Sequence, residues 1–370
     1  MECMKCGDCQ AVCPTFAVTG DESAVARGRI RLIRALNDGE LELTDTLVDK
    51  INSCMMCLAC TANCPSGVKV DEVIISARKK IAEERGLPLF KRISNAVLSH
   101  SIIMKIASLI SPLYRPIIGN VVPKTSRRTF SGPPPKVENP KMRVAFFAGC
   151  MVNYVYPEIG DAVLEVLAES GIEVLLKKEK CCGAPALYCG DEKTAKRLAK
   201  ANVKRFHDLD VDAIVTCCPT CENVIKGYPS LLENDEMAVK AAEKVCDISW
   251  FLAKSGFKSG EIDGLIGYHE SCHLKYGTGT EGEMQIIKSL QKDLKELDGC
   301  CGFAGMFSLS YPDLSKRLSD EKLDNIEAAG VDTVVTGCPG CKMYIEKGLK
   351  QRGVNCRVMH TVELLDEAYR

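Results

Sequence analysis

The cysteines of this chain, 22 in 370 residues, are patterned rather than scattered. Cys3, Cys6, Cys9 and Cys13 form one run, and Cys54, Cys57, Cys60 and Cys64 repeat it. In each run three thiols stand at two-residue gaps, a fourth follows after three residues, and a proline (Pro14, Pro65) comes directly behind. Thiolates spaced in this way wrap one corner of an iron–sulfur cube, while the trailing cysteine of each run reaches the other cube. Two 4Fe-4S cubane clusters are therefore expected, one on Cys3, Cys6, Cys9 and Cys64, the other on Cys54, Cys57, Cys60 and Cys13. Zinc is the competing metal, but its sites usually draw on two separated pairs of ligands.

A second arrangement occupies the C-terminal part of the chain. Cys150, Cys181-Cys182 and Cys218-x2-Cys221 are followed by Cys272, Cys300-Cys301 and Cys338-x2-Cys341. This is an internal duplication, because "RLAKANVKRFHDLDVDAIVTCCPTC" (197–221) aligns without a gap on "RLSDEKLDNIEAAGVDTVVTGCPGC" (317–341). Five thiols per copy are one more than a cubane or a tetrahedral zinc can use. Adjacent cysteines are suited to neighbouring irons, and Gly183 or Gly302 behind them is expected to let the backbone approach a bulky cluster. A four-thiolate zinc site, a thioredoxin-like dithiol at "CPTC" or "CPGC", and buried free thiols are the competing readings. None of these accounts for the recurrence of all five positions. Cys217 faces Gly337 in the repeat and is left out of the sets. Cys189, Cys246 and Cys356 have no repeat partner and read as core thiols.

"HESCH" (269–273) satisfies the H-E-x-x-H pattern of zinc proteases. That chemistry needs both histidines on one helical face, whereas here they follow a strand-like run and enclose Cys272. His273 reads instead as a loop histidine, with hydrogen bonding to cluster sulfur as the alternative.

The N-terminal spacing is similar to that of bacterial ferredoxins. The doubled pattern behind it resembles the paired cysteine-rich CCG domains of heterodisulfide reductase, in the order found in its D-type subunit. The same layout is similar to the iron–sulfur subunits of glycolate, D-lactate and anaerobic glycerol-3-phosphate dehydrogenases. The resemblance covers residues 1–90 and 141–370. It implies one or two non-cubane 4Fe-4S clusters as the catalytic centres, on Cys150, Cys181, Cys182, Cys218 and Cys221, and on Cys272, Cys300, Cys301, Cys338 and Cys341. It also implies an iron–sulfur oxidoreductase in a multi-subunit complex, passing electrons from ferredoxin-type clusters to the CCG sites for thiol or disulfide chemistry. The alternative is an electron relay that serves an FAD-linked 2-hydroxyacid or glycerol-3-phosphate dehydrogenase and delivers electrons toward quinone. Partners would be a flavin-containing subunit, a membrane cytochrome or quinone-linked subunit, and a small thiol or disulfide substrate. A third reading, a zinc-stapled interaction protein, predicts a colourless preparation.

These ligands need rigid elements to hold them. The chain, 46% apolar, is long enough for two or three domains. A net charge of -1 removes the electrostatic basis for nucleic-acid binding. "MECMKCGDCQ" has no signal-peptide pattern, and no apolar run reaches bilayer-spanning length. Reduced thiols in the cytoplasm are expected, with peripheral attachment at the inner membrane face as an option.

Residues 1–90 read as a helical two-cluster domain, its helices broken at Asn37-Asp38-Gly39. Residues 91–122 read as an amphipathic helical segment with a stripe of Leu98, Ile102, Ile106, Leu109, Leu113 and Ile117, interrupted by Pro112 and Pro116. That face suits packing on a domain or, alternatively, lying in a membrane interface. The proline-rich 123–140 reads as a linker. Residues 141–263 and 264–370 read as two α/β CCG domains, in which "RVAFFAGC", "IEVLLKKEKCC", "DAIVTCC", "LIGYHESC" and "TVVTGC" supply parallel strands. Each cysteine group then lies past the carboxyl end of a strand, the ligand-binding edge of open α/β sheets. "GTGTEGE" (277–283) lacks a dinucleotide fingerprint and reads as a loop, so flavin is assigned to a partner.

Overall fold

In both halves of the duplication, short buried runs rich in Val, Ile and Phe pair in parallel. The computed structural model describes residues 3–100, 102–106, 125–126, 128–258 and 260–370. The first half forms β1 (Met142–Phe147), β2 (Ile172–Leu176), β3 (Ala213–Thr216) and β4 (Val245–Asp247), in the order β2-β1-β3-β4. The second forms β5 (Ile266–Tyr268), β6 (Lys295–Glu296), β7 (Thr333–Thr336) and β8 (Arg357–His360), in the order β6-β5-β7-β8. Registers match as well: Val144 lies opposite Ala213 as Ile266 lies opposite Thr333. β3 and β7 are buried throughout, as expected of parallel strands covered by helices on both faces. β4, β6 and β8 lie at sheet edges; their short sequences, VCD, KE and RVMH, carry no apolar run to betray them.

The repeat boundary near residue 264 is not a boundary between cores. Val144 and Phe146 of β1 share one cluster with Ile266 and Tyr268 of β5 and Val335 of β7. The helices Pro157–Glu169 and Thr361–Tyr369, one from each half, close over it with Leu167, Leu364 and Leu365 fully buried. Each such side chain contributes about 1.5–3 kcal/mol. The two halves are therefore one folding body.

The N-terminal helices Ala26–Asn37, Asp45–Asn52 and Val70–Arg85 surround Ile33, Ile51, Ile74 and Ile81. This domain docks on the second half through Met55, Phe307 and Leu318. It is tied to the first half by Arg78, whose buried guanidinium donates to the carbonyls of Ile51, Asn52, Cys54 and Tyr188.

Three expectations are corrected. The helix after the N-terminal domain is Leu89–Ser99 and ends at His100, whose extended backbone interrupts the expected stripe between Leu98 and Ile102. Its register is set by polar contacts: Lys91, Asn95 and Ser99 face inward while Leu89, Phe90 and Ile93 are exposed, and Asn95 Nδ2 donates to Asp191 at 3.0 Å and to Cys189 Sγ at 3.3 Å. Residues 101 and 107–122 of that stripe lie outside the described residues. The 123–140 segment, as far as it is described, has no regular structure, yet Phe130 packs edge-on against Phe146 at 5.6 Å and lodges over Gly160. It is anchored by an aromatic rather than free. Within 277–283 only Gly279 and Thr280 form a loop, between a π-helical turn at Leu274–Thr278 and an α-helix at Glu281–Leu290.

Candidate metal centres

The two N-terminal runs share one backbone shape. Lys5 (φ 62°) and Gly7 (φ 101°) correspond to Met56 (φ 58°) and Leu58 (φ 68°), all four in the left-handed region. For a side-chain-bearing residue that conformation costs about 1–2 kcal/mol, so both loops hold strain at the first of these places, Lys5 and Met56, and the second loop also at Leu58, where the first has glycine. The reversals turn the chain around a centre. Cys13 comes to Cys54, Cys57 and Cys60 around one cavity lined also by Met55, Met56, Ala59 and Ile74. Burial pushes the Cys57 thiol up to about 12. Cys9 lies near Cys3 and Cys13, with its thiol raised by burial. Cys64 Sγ accepts from the Val68 amide at 3.4 Å and packs on the same core as Cys9, while Cys6 is exposed.

In the first half the carboxyl ends of β1, β2 and β3 gather Cys150, Cys181, Cys182, Cys218 and Cys221. Side-chain contacts run from Cys150 to Cys181, Cys182, Cys221 and Cys218 in turn. Hydrogen bonding from Cys181 and then Cys221 holds the Cys182 thiol down to about 6, against its burial. Hydrogen bonding to Cys181, with burial, raises Cys150 well above the thiol range. The glycine that leaves room here is Gly149, whose missing Cβ would stand 3.2 Å from Cys221 Sγ. Gly183 (φ 96°) and Gly302 (φ 82°) serve another purpose than the one expected of them. They are left-handed turns, and a Cβ on Gly302 would strike the Ser315 carbonyl at 2.5 Å rather than face the thiols.

The second half repeats the plan. Contacts link Cys300, Cys301, Cys341 and Cys338, with Cys301 and Cys341 sulfurs 3.2 Å apart. Cys272 lies close enough to Cys57, Cys301 and Cys338 for their charges to act on it, and burial raises its thiol. Cys57 and Cys300 also pack against one apolar cluster, so the second N-terminal run and the second CCG set adjoin. His269 and His273 do not share a helix: His269 follows β5, and the helical turn begins after it. Cys217, Cys189 and Cys246 are buried, whereas Cys356 is half-buried.

Comparison with known proteins bears on these centres. A 4Fe-4S dicluster domain family matches residues 1–68, and a cysteine-rich domain family matches residues 144–226 and 266–346. The lactate utilization protein A of Geobacillus is 31% identical, over 61% of this chain and 99% of that protein. The chain belongs to this family of cysteine-rich iron–sulfur proteins. Another member, the probable glycolate oxidase iron-sulfur subunit of Bacillus subtilis, is 29% identical over 100% of this chain and 94% of its own length. The glycolate oxidase iron-sulfur subunit of Escherichia coli is 26% identical over 99% of this chain and 93% of that protein. Family membership makes this an iron–sulfur electron-transfer protein of the oxidoreductase-subunit type, with a 4Fe-4S dicluster domain at its N-terminus. Among the described residues no helix is long and apolar enough to cross a membrane.

The donor chemistry fits iron–sulfur ligation, because thiols converge on a lined cavity in the N-terminal domain and touch one another in both CCG sets. Such clusters supply one-electron transfer when bound. The chain's own residues fix the sulfurs and place one set beside the next. Sequence reasoning missed Tyr188, Arg78 and Lys322, and weighed His269 only as half of a zinc-protease pattern. A signal existed for His269 and Lys322, since the repeat puts Phe147 and Asn202 at their positions.

Proposed function

We propose that the chain is the iron–sulfur relay subunit of a flavin-linked 2-hydroxyacid dehydrogenase, taking electrons from a flavoprotein partner and delivering them toward quinone. The observation that carries this reading is the adjacency of Cys57 to Cys272 and Cys300, which joins the N-terminal runs to the CCG sets as consecutive stations in one body. The near full-length likeness to a glycolate oxidase iron-sulfur subunit supports the same substrate class. In this reading the ligands are Cys3, Cys6, Cys9 and Cys64, then Cys54, Cys57, Cys60 and Cys13, and the two five-cysteine sets hold the later stations. Residues 1–90 act as the relay's two-cluster domain and 141–370 as its paired CCG portion.

A specific observation favours disulfide chemistry as a second reading. Both CCG sets keep all five cysteines, and they approach one another across Tyr188 and His273, the arrangement a two-sulfur substrate would need.

Anaerobic low-temperature EPR separates the two. The relay reading expects cluster reduction when the flavoprotein partner turns over glycolate or D-lactate, with oxidised-state signals indifferent to small thiols. A thiol-dependent signal that disappears in Cys300→Ala, without reduction by the hydroxyacid, would replace it with the disulfide reading.

A further inference from the structure

The two CCG sites differ at two buried positions that the repeat aligns. Phe147, at the end of β1, is replaced after β5 by His269. Phe147 packs on Phe206 with ring centroids 5.9 Å apart, and the position of Phe206 is Ile326 in the second half, a smaller residue that leaves the imidazole without an aromatic neighbour there. His269 is 3% exposed, its amide donates to the Val335 carbonyl at 2.8 Å, and neither ring nitrogen reaches a nitrogen or oxygen partner; the ring's side-chain contact is with Cys301. A buried imidazole that meets no nitrogen or oxygen partner is costly, because a thiol compensates only weakly for the water it has lost. What surrounds it is sulfur: a ring nitrogen of His269 and the sulfurs of Cys301 and Cys341 all lie within 4.8 Å of one another. Among the described residues this is the one such trio.

The second difference lies beneath the cysteine pair. Asn202 in the first half donates to the carbonyls of Lys180 and Cys181 at 3.3 and 3.1 Å. Its counterpart, Lys322, is fully buried and donates to the carbonyls of Leu297 and Asp298 at 2.6 and 3.0 Å. A neutral amide under one site is thus a cation-bearing side chain under the other.

We propose that the second CCG site is a mixed nitrogen–sulfur centre, in which His269 ligates iron beside Cys301 and Cys341, while the first site is ligated by sulfur alone. Imidazole is a good ligand for iron, and with His269 in the place of one of the five thiolates the centre would carry less negative charge and a higher reduction potential. Lys322 acts in the same direction. The two sites are then unequal stations, the second the stronger electron acceptor and the one adjoining Cys57.

This inference rests on the reading that the second set holds an iron–sulfur group, and the experiment separates the two. The full-length protein is purified anaerobically with isotopically labelled histidine and reduced stepwise, with iron content and pulsed-EPR nitrogen couplings read at each potential. Iron content must fall in Cys301→Ser; equal iron in that variant overturns the cluster reading itself. With iron present, the expected result is a directly bound histidine nitrogen in the wild type and in His273→Asn. The coupling is lost in His269→Phe, which copies the first half, and in His269→Cys, which supplies sulfur and keeps the iron. A wild type with iron but no histidine coupling at any potential, or a coupling that survives both His269 variants, overturns the inference alone.

Discussion

Tyr188 of the first half stacks on His273 of the second, with ring centroids 6.1 Å apart and planes 11° from parallel. His273 Nδ1 also lies 3.0 Å from Thr220 Oγ1 of the first half. The thiols of Cys182 and Cys221 on one side and Cys272 on the other all act on Tyr188. The stack therefore lies between the two CCG sets. Tyr188→Ala is expected to cost about 2 kcal/mol from lost burial and stacking and to weaken magnetic coupling between the two sites. Tyr188→Phe keeps the ring and should leave both unchanged. Chemical denaturation and EPR linewidths check this, and equal effects of the two substitutions would refute the role of the ring.

Arg78 is the pin between the N-terminal domain and the first half. Its Nη atoms lie 2.6–3.1 Å from the carbonyls of Ile51, Asn52, Cys54 and Tyr188. Arg78→Met leaves buried acceptors without donors, at about 1–3 kcal/mol for each one that stays dry. The expected outcome is a loss of about 3 kcal/mol or more, with protease cleavage between the N-terminal domain and the rest appearing under conditions where the wild type resists. An unchanged cleavage pattern would mean the apolar contact at Met55, Phe307 and Leu318 suffices for docking.

The N-terminal runs should not be equivalent in electron transfer. Cys6 is exposed, whereas Cys57 packs against the same apolar cluster as Cys300. Cys57→Ser should therefore abolish reduction of the second CCG site by the N-terminal domain, while Cys6→Ser leaves the station adjoining that site in place. Freeze-quench EPR after mixing with a reductant that acts on the N-terminal domain distinguishes them; identical kinetics in the two variants would mean that electrons reach the second site by another route.

Glu283 gives stability a pH dependence of known sign. It is buried in the second half, accepts from Tyr268 Oη at 2.7 Å and from Thr361, and burial pushes its carboxyl up to about 7. The native state then binds a proton that the unfolded chain releases at its ordinary value of 4.5, so stability falls as pH rises from there through about 7. The contribution is about 3 kcal/mol across that window, at about 1.4 kcal/mol per pH unit. Glu283→Gln should flatten the slope, as seen in anaerobic thermal melts from acid to neutral pH. A slope equal to that of the wild type would assign it to another group.

Much of the site was legible because its information is local. Gaps of two and three residues fix how a short loop presents thiols, so the runs at Cys3–Cys13 and Cys54–Cys64 marked a 4Fe-4S dicluster domain, whereas the left-handed backbone they share at Lys5 and Met56 came only with the structure. The α/β halves were legible through duplication, each copy repeating the strand signals of the other. The helix at Leu89–Ser99 was misjudged for the opposite reason. Periodicity assumes that apolar residues face inward, and there Asn95, held by Asp191 and Cys189 nearly a hundred positions away, decides the rotation.

Composition and spacing by themselves determined the dicluster character of the N-terminal domain, the repeat and the parallel sheets, since each follows from residues near one another in the chain or aligned between copies. Only the tertiary structure decided that the halves share one core, that Cys57 adjoins Cys272, that Tyr188 lies between the CCG sets, and that His269 points at Cys301 and Cys341. Those contacts join segments far apart in sequence, and which of many apolar faces meet is settled by packing of whole surfaces, a property no local pattern carries.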